Sequence, residues 1–199
     1  EPYLITSITR NGALLEQHAP ETTASLHPTI AYLTSSCLEG VIQRGTGVAA
    51  RSIPLPLAGK TGTTNAYTDA WFVGYSPSYT VGVWVGNETK IPLGKRMPGA
   101  EAALPVWKSV MEYIAREGLE PVESFSVPPG LAFARIDRTT GLLASSSCPS
   151  VIQEAFLPGT QPTEICSDEW HRIIQLPYYL QFQFYEPKPG EIMGTEYTE

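Results

Sequence analysis

The stretch Gly59-Lys60-Thr61-Gly62-Thr63-Thr64-Asn65 decides how this chain is read. With Leu55-Pro56-Leu57-Ala58 before it, it predicts a strand over 55–64. Prolines and glycines keep such a strand at a sheet edge or beside a ligand. Side-chain alternation sends Lys60 and Gly62 to one face and Thr61 and Thr63 to the other. Lacking a side chain, Gly62 lets a ligand lie flat against the backbone. An edge of this kind hydrogen-bonds an extended peptide as an added strand, while its hydroxyls hold a carboxylate.

Two further strands follow, Asp69 to Tyr75 and Tyr79 to Val85, joined at Ser76-Pro77-Ser78. Both are apolar at nearly every position, which predicts strands covered on both faces in the middle of a sheet. Trp71, Trp84 and Trp107 are accordingly expected on core faces. Upstream, a β-rich run over 3–9 meets Asn11-Gly12, a hairpin turn signal, and continues into 13–16. Pro28 opens a helix over 28–43 whose apolar face is Ile30, Leu33, Cys37, Leu38, Val41 and Ile42, with Gly45 near its end. Cys37 is expected there as a small buried side chain. Pro105 begins a second helix, over 105–117, with a buried stripe of Val106, Trp107, Val110, Met111 and Ile114, closed by Gly118. Beyond it the texture changes. Residues 119–130 form a Pro-rich connector, 131–144 a hairpin around Arg138-Thr139-Thr140-Gly141, and 145–170 mostly loop. Residues 177–185 alternate enough for a strand.

The Gly-Lys-Thr-Gly-Thr-Thr run, with Asp69-Ala70-Trp71-Phe72-Val73-Gly74-Tyr75, Val83-Trp84-Val85-Gly86 and Ala103-Leu104-Pro105-Val106-Trp107 after it, resembles the class A penicillin-binding proteins. So does Glu154 to Thr163. Lys60-Thr61-Gly62 is similar to the third of the motifs S-x-x-K, S-x-N and K-T-G that this superfamily shares with serine β-lactamases. The resemblance covers roughly residues 1–163. It implies an α+β transpeptidase-type fold, an antiparallel sheet flanked by helices. Residues 1–118 would be the C-terminal part of a transpeptidase domain and 119–199 an extension. It also implies serine acyl transfer between peptidoglycan stem peptides, inhibition by β-lactam antibiotics, and no cofactor.

Residue by residue, the resemblance makes Lys60 the cation beside the nucleophile. Thr61 and Thr63 would hold the substrate carboxylate, with Gly62 and Thr64 in the same substrate-binding set, and the Thr63 backbone N–H would be one of two oxyanion donors. No S-x-x-K and no S-x-N occurs in the 199 residues. The acylating serine is therefore expected before Glu1, in an N-terminal part of the same enzyme that would be this chain's partner. The expected location is the extracytoplasmic face of the bacterial membrane, anchored through a segment absent from this chain. Two rival readings stand beside this one. One is a serine β-lactamase, disfavoured by the tail from Val127 to Thr163. The other is a non-catalytic scaffold of the same fold.

In an extracytoplasmic setting, Cys148 and Cys166 are expected as a disulfide, closing a loop worth roughly 3 kcal/mol; two unrelated thiols are the alternative. Metal binding finds no support in spacing: there is no Cys-x-x-Cys, and His18, His27 and His171 stand apart in sequence. Gly45-Thr46-Gly47-Val48-Ala49-Ala50 fits a dinucleotide fingerprint in form, but it follows a helix where that fingerprint must follow a strand, so it reads as a helix-ending turn. The net charge of −7, with basic residues scattered, excludes sequence-independent nucleic-acid binding. No run approaches the eighteen apolar residues of a membrane span.

Overall fold

The computed structural model describes residues 5–19, 23–94, 97–121 and 123–175. The strand expected over 177–185 lies outside them. In chain order the elements are β1 (Ser7–Arg10), β2 (Ala13–Gln17), α1 (Pro28–Arg44), β3 (Ala58–Thr63), β4 (Asp69–Tyr75), β5 (Thr80–Gly86), α2 (Gly99–Ala102), α3 (Leu104–Arg116), β6 (Ala132–Asp137), β7 (Val151–Phe156) and α4 (Asp168–Ile173). All strand pairs are antiparallel, so the α+β architecture expected from the sequence is the one observed.

Local chemistry sets the short-range features. Asn11 and Gly12 both take positive φ, 50° and 79°, and turn β1 into β2. Pro28 occupies the first turn of α1, and His27 caps it through Nδ1, which accepts from the Thr29 N–H. Gly118, at φ 63°, ends α3.

The central sheet runs β3-β4-β5, so β3 is an edge strand and β4 the middle one. One core collects Ile42 of α1, Ala50, Ile53 and Leu57 of the following loop, Phe72 of β4, and Leu104, Trp107, Met111 and Ile114 of α3. Phe72 and Trp107 pack with their rings tilted by 55° and their centroids 4.8 Å apart. Full burial of a Phe contributes roughly 1.5–3 kcal/mol. The Trp107 indole N–H donates to the Val81 carbonyl at 3.1 Å, so its one polar atom is satisfied inside the core.

Several sequence expectations are corrected here. The sheet is covered on one face only: Trp71, Val73 and Trp84 are each 45% exposed. Apolar strands specify burial against something, and among the described residues that face stays half open, with only the Lys90 segment reaching over its Asp69 end. On α3 the buried stripe is Leu104, Trp107, Met111 and Ile114, whereas Val106 and Val110 are exposed, because the helix turns its Trp107 side to the sheet. Cys37 is exposed, on the side of α1 away from Ile42. The hairpin expected over 131–144 forms only around its turn, where the Gly141 N–H donates to the Asp137 carbonyl, the Asp137 N–H to that of Leu142 and the Ala144 N–H to that of Arg135. β6 pairs along its whole length with β7, from a region expected as loop, while Leu143 makes a single bridge to Ile136. A bond of the Arg44 guanidinium to Glu154, 2.5 Å, and an edge-on contact of Tyr32 with Phe133 hold this second sheet to α1.

Candidate active site on the edge strand

Among the described residues β3 has no strand on its outer edge, along which stand Lys60, Thr61 and Thr63. Its register to β4 pairs Lys60 with Val73, Gly62 with Trp71 and Thr63 with Ala70. The Thr64 N–H donates inward to the Asp69 carbonyl at 3.1 Å. Because successive backbone N–H groups of a strand point to opposite sides, the Thr63 N–H points outward, to the open edge. Gly62 is pressed against Trp71, whose Cβ would lie 3.1 Å from any Cβ added there.

Lys60 is exposed, and its ammonium donates to the Thr61 carbonyl at 3.0 Å and to Thr61 Oγ1 at 3.1 Å. Thr61 Oγ1 lies 3.2 Å from Thr46 Oγ1, in the turn that ends α1. Thr63 Oγ1 accepts from the Gly99 N–H at 3.0 Å, so its own proton is available to a ligand. Lys60, Thr61, Gly62 and Thr63 are therefore brought together on one strand edge. Thr64 sits apart from them in its chemistry: its Oγ1 accepts from the Thr68 and Asp69 N–H groups and closes the β3–β4 turn.

Thr46 and Gly99 carry no signal in the sequence that ties them to this edge. Gly99 is required by close approach, since an added Cβ would stand 2.3 Å from the Trp71 carbonyl oxygen and 2.8 Å from that of Gly62. Asp69 braces the turn from below. It is buried, receives the Thr68 hydroxyl at 2.8 Å, the Lys90 ammonium at 3.0 Å and the Trp84 indole at 3.1 Å, and these bonds, Thr68 first, hold its carboxyl below the usual carboxylate range.

A carboxylate held below its unfolded pKa stabilises the fold above that pKa, about 3.9, and loses the contribution as pH falls through the folded value. Asp69→Asn should thus be less stable than the unmodified chain at neutral pH. The gap should shrink once the medium is acid enough to protonate Asp69. Urea unfolding at neutral and acid pH measures it, and a gap independent of pH would show that the Asp69 charge contributes nothing.

In the region after α3, Cys148 and Cys166 stand side by side as thiols, their Sγ atoms within 4.8 Å of each other. Cys166 Sγ faces His171 Nε2 at 3.0 Å, and Cys148 Sγ accepts from the Ser145 N–H at 3.3 Å. His171, isolated in sequence, is thereby brought beside Cys166 and, at 3.5 Å, beside Asp137.

The family model of the penicillin-binding protein transpeptidase domain matches residues 1–112, and that of the penicillin-binding protein 1A C-terminal domain matches residues 127–170. Penicillin-binding protein 1A of Aquifex aeolicus is 38% identical over 84% of this chain and 23% of its own length. The protein of that name from Pseudomonas aeruginosa is 39% identical over 68% of this chain and 16% of its own. A crystal structure of penicillin-binding protein 1A from Haemophilus influenzae superposes with a TM-score of 0.65 at 26% identity, over 84% of this chain and 30% of that one. The chain thus spans about a quarter or less of the length of these curated relatives. With the transpeptidase model matching more than half of its residues, the chain belongs to the penicillin-binding protein transpeptidase family.

Proposed function

We propose that this chain supplies the substrate-binding strand of a D,D-transpeptidase that cross-links peptidoglycan stem peptides by serine acyl transfer and is acylated by β-lactams. The observation that carries this reading is β3 itself: an edge strand with an ammonium, two hydroxyls and an outward N–H in line. A stem peptide would add to that edge as a strand, its terminal carboxylate held by Thr61 and Thr63. Lys60 would stabilise the charge developing beside the nucleophile, and the Thr63 N–H would receive the oxyanion.

The nucleophilic serine would come from a partner segment of the same enzyme, since a hydroxyl is inert without its activating neighbours and no S-x-x-K is present here. In this reading residues 1–118 complete the transpeptidase domain, residues 119–199 form an extension, and the whole works at the extracytoplasmic face of the membrane. Among the described residues no helix is long and apolar enough to cross a membrane, so anchoring would fall to another segment.

Lys60 provides the test. In the polypeptide that also carries the serine, Lys60→Ala should slow acylation by penicillin at least about tenfold, because a positioned cation and its hydrogen bonds vanish together. Lys60→Arg should recover only part of the rate, as a planar fork does not replace a compact ammonium. Stopped-flow acylation measures both, and an unchanged rate in Lys60→Ala would make Lys60 a surface residue.

A further inference from the structure

The region that follows α3 has little apolar interior. Among its described residues the only fully buried ones are Asp137, at the end of β6, and Cys166. A unit this small ordinarily needs a disulfide, a metal or a partner to replace the missing core. The chain converges on that spot from four separate places. β6 delivers Asp137, the 138–150 loop delivers Cys148, a parallel bridge of Leu143 with Ile165 sets Cys166, and α4 delivers His171. One ligand atom from each lies within 4.8 Å of all the others.

We propose that Asp137, Cys148, Cys166 and His171 form a structural site for a divalent cation of the zinc type. Two thiolates, an imidazole and a carboxylate are the donor set that favours tetrahedral zinc over hard, oxygen-seeking cations. Zinc bonds of about 2.0–2.3 Å set tetrahedral ligand atoms roughly 3.3–3.8 Å apart, so separations near the 4.8 Å limit need to close by about an ångström while Cys166 Sγ and His171 Nε2, at 3.0 Å, open slightly.

A second observation points the same way. Asp137 is wholly buried, and its Oδ2 has no hydrogen-bond partner, which a folded protein rarely tolerates. Its other oxygen accepts from the Thr139 and Thr140 N–H groups, both at 2.9 Å, which fixes the carboxylate's orientation. The Ser145 N–H on Cys148 Sγ does the same for a thiolate. These are the outer contacts that orient metal ligands. A disulfide between the two cysteines would staple the same loops but would leave the unpartnered Asp137 oxygen and the inward His171 unexplained. With four protein ligands the site is closed, so its role is to hold the fold. Binding would exchange two thiol protons for the cation.

The spacing rules missed this set because the ligands stand 11, 18 and 5 residues apart, from Asp137 to Cys148 to Cys166 to His171. Such intervals match no zinc-finger pattern, and only the fold makes neighbours of them.

The test uses the full chain, reduced and offered Zn²⁺ or Co²⁺ alone. One metal per chain is expected by elemental analysis, with sulfur-to-cobalt charge transfer and tetrahedral cobalt bands in the Co²⁺ form. His171→Gln, which should fold because the ring is partly exposed, should weaken affinity at least about tenfold. Asp137→Asn should weaken it too, and Cys37→Ser should leave it unchanged. A reduced chain that takes up neither ion overturns the site. So does His171→Gln binding with unchanged affinity, or a Cys148–Cys166 disulfide in protein recovered from its own compartment.

Discussion

Residues 1–199, produced alone and mixed with a fluorescent penicillin, should acquire no covalent label. Adding the serine-bearing segment as a separate chain should restore labelling. The first half follows from chemistry: β-lactam opening requires an activated nucleophile, and no serine here has a lysine three residues on. The second half follows from the surface. Trp71, Val73 and Trp84 lie open on one face of the sheet, and Ile8, Leu14 and Leu15 are exposed on the β1–β2 hairpin. Exposed apolar area on this scale marks an interface or an aggregation hazard. The isolated chain should accordingly aggregate more readily than the mixture, which light scattering would follow. Denaturing gels read the label directly. A stable adduct on the isolated chain would refute the assignment of the nucleophile to another segment, and a second serine system would have to be found.

The second large effect concerns one backbone N–H. Thr63→Pro removes the outward donor proposed for the oxyanion, and a proline is tolerated on an edge strand where the lost N–H faces out. Acylation in the serine-bearing enzyme should fall about 10²–10³-fold, the usual consequence of losing one oxyanion donor. Thr63→Val is the matched variant: it keeps the N–H and loses only the hydroxyl, including the acceptor of the Gly99 N–H. It should weaken substrate binding yet retain much of the acylation rate. Rapid-quench measurement over a range of penicillin concentrations separates the two effects. Equal loss in both variants would place the importance of Thr63 in its side chain, and a Thr63→Pro enzyme with unchanged acylation would remove the oxyanion role altogether. Circular dichroism and thermal unfolding distinguish a folded Thr63→Pro variant from a collapsed strand.

What the sequence determined by itself lies within a few residues of chain. Asn11-Gly12 turns, Pro28 starts a helix and Gly118 ends one because backbone sterics act locally. The Lys60-Thr61-Gly62-Thr63 strand was legible for the same reason: alternation and the missing Cβ of Gly62 are properties of the strand alone. Tertiary structure decided everything that depends on which distant segments meet. It placed Thr46 on Thr61 and Gly99 on Thr63, contacts across 15 and 36 residues of chain. It paired β6 with β7 across an intervening loop, in a stretch expected from the sequence to be mostly loop. It left Trp71 and Trp84 outside the core, since the hydrophobicity of a side chain says that it seeks cover without saying whether this stretch of chain provides it. And it gathered Asp137, Cys148, Cys166 and His171 around one point, which no spacing rule could see, because separation along the chain fixes distance in space only within a single helix or strand.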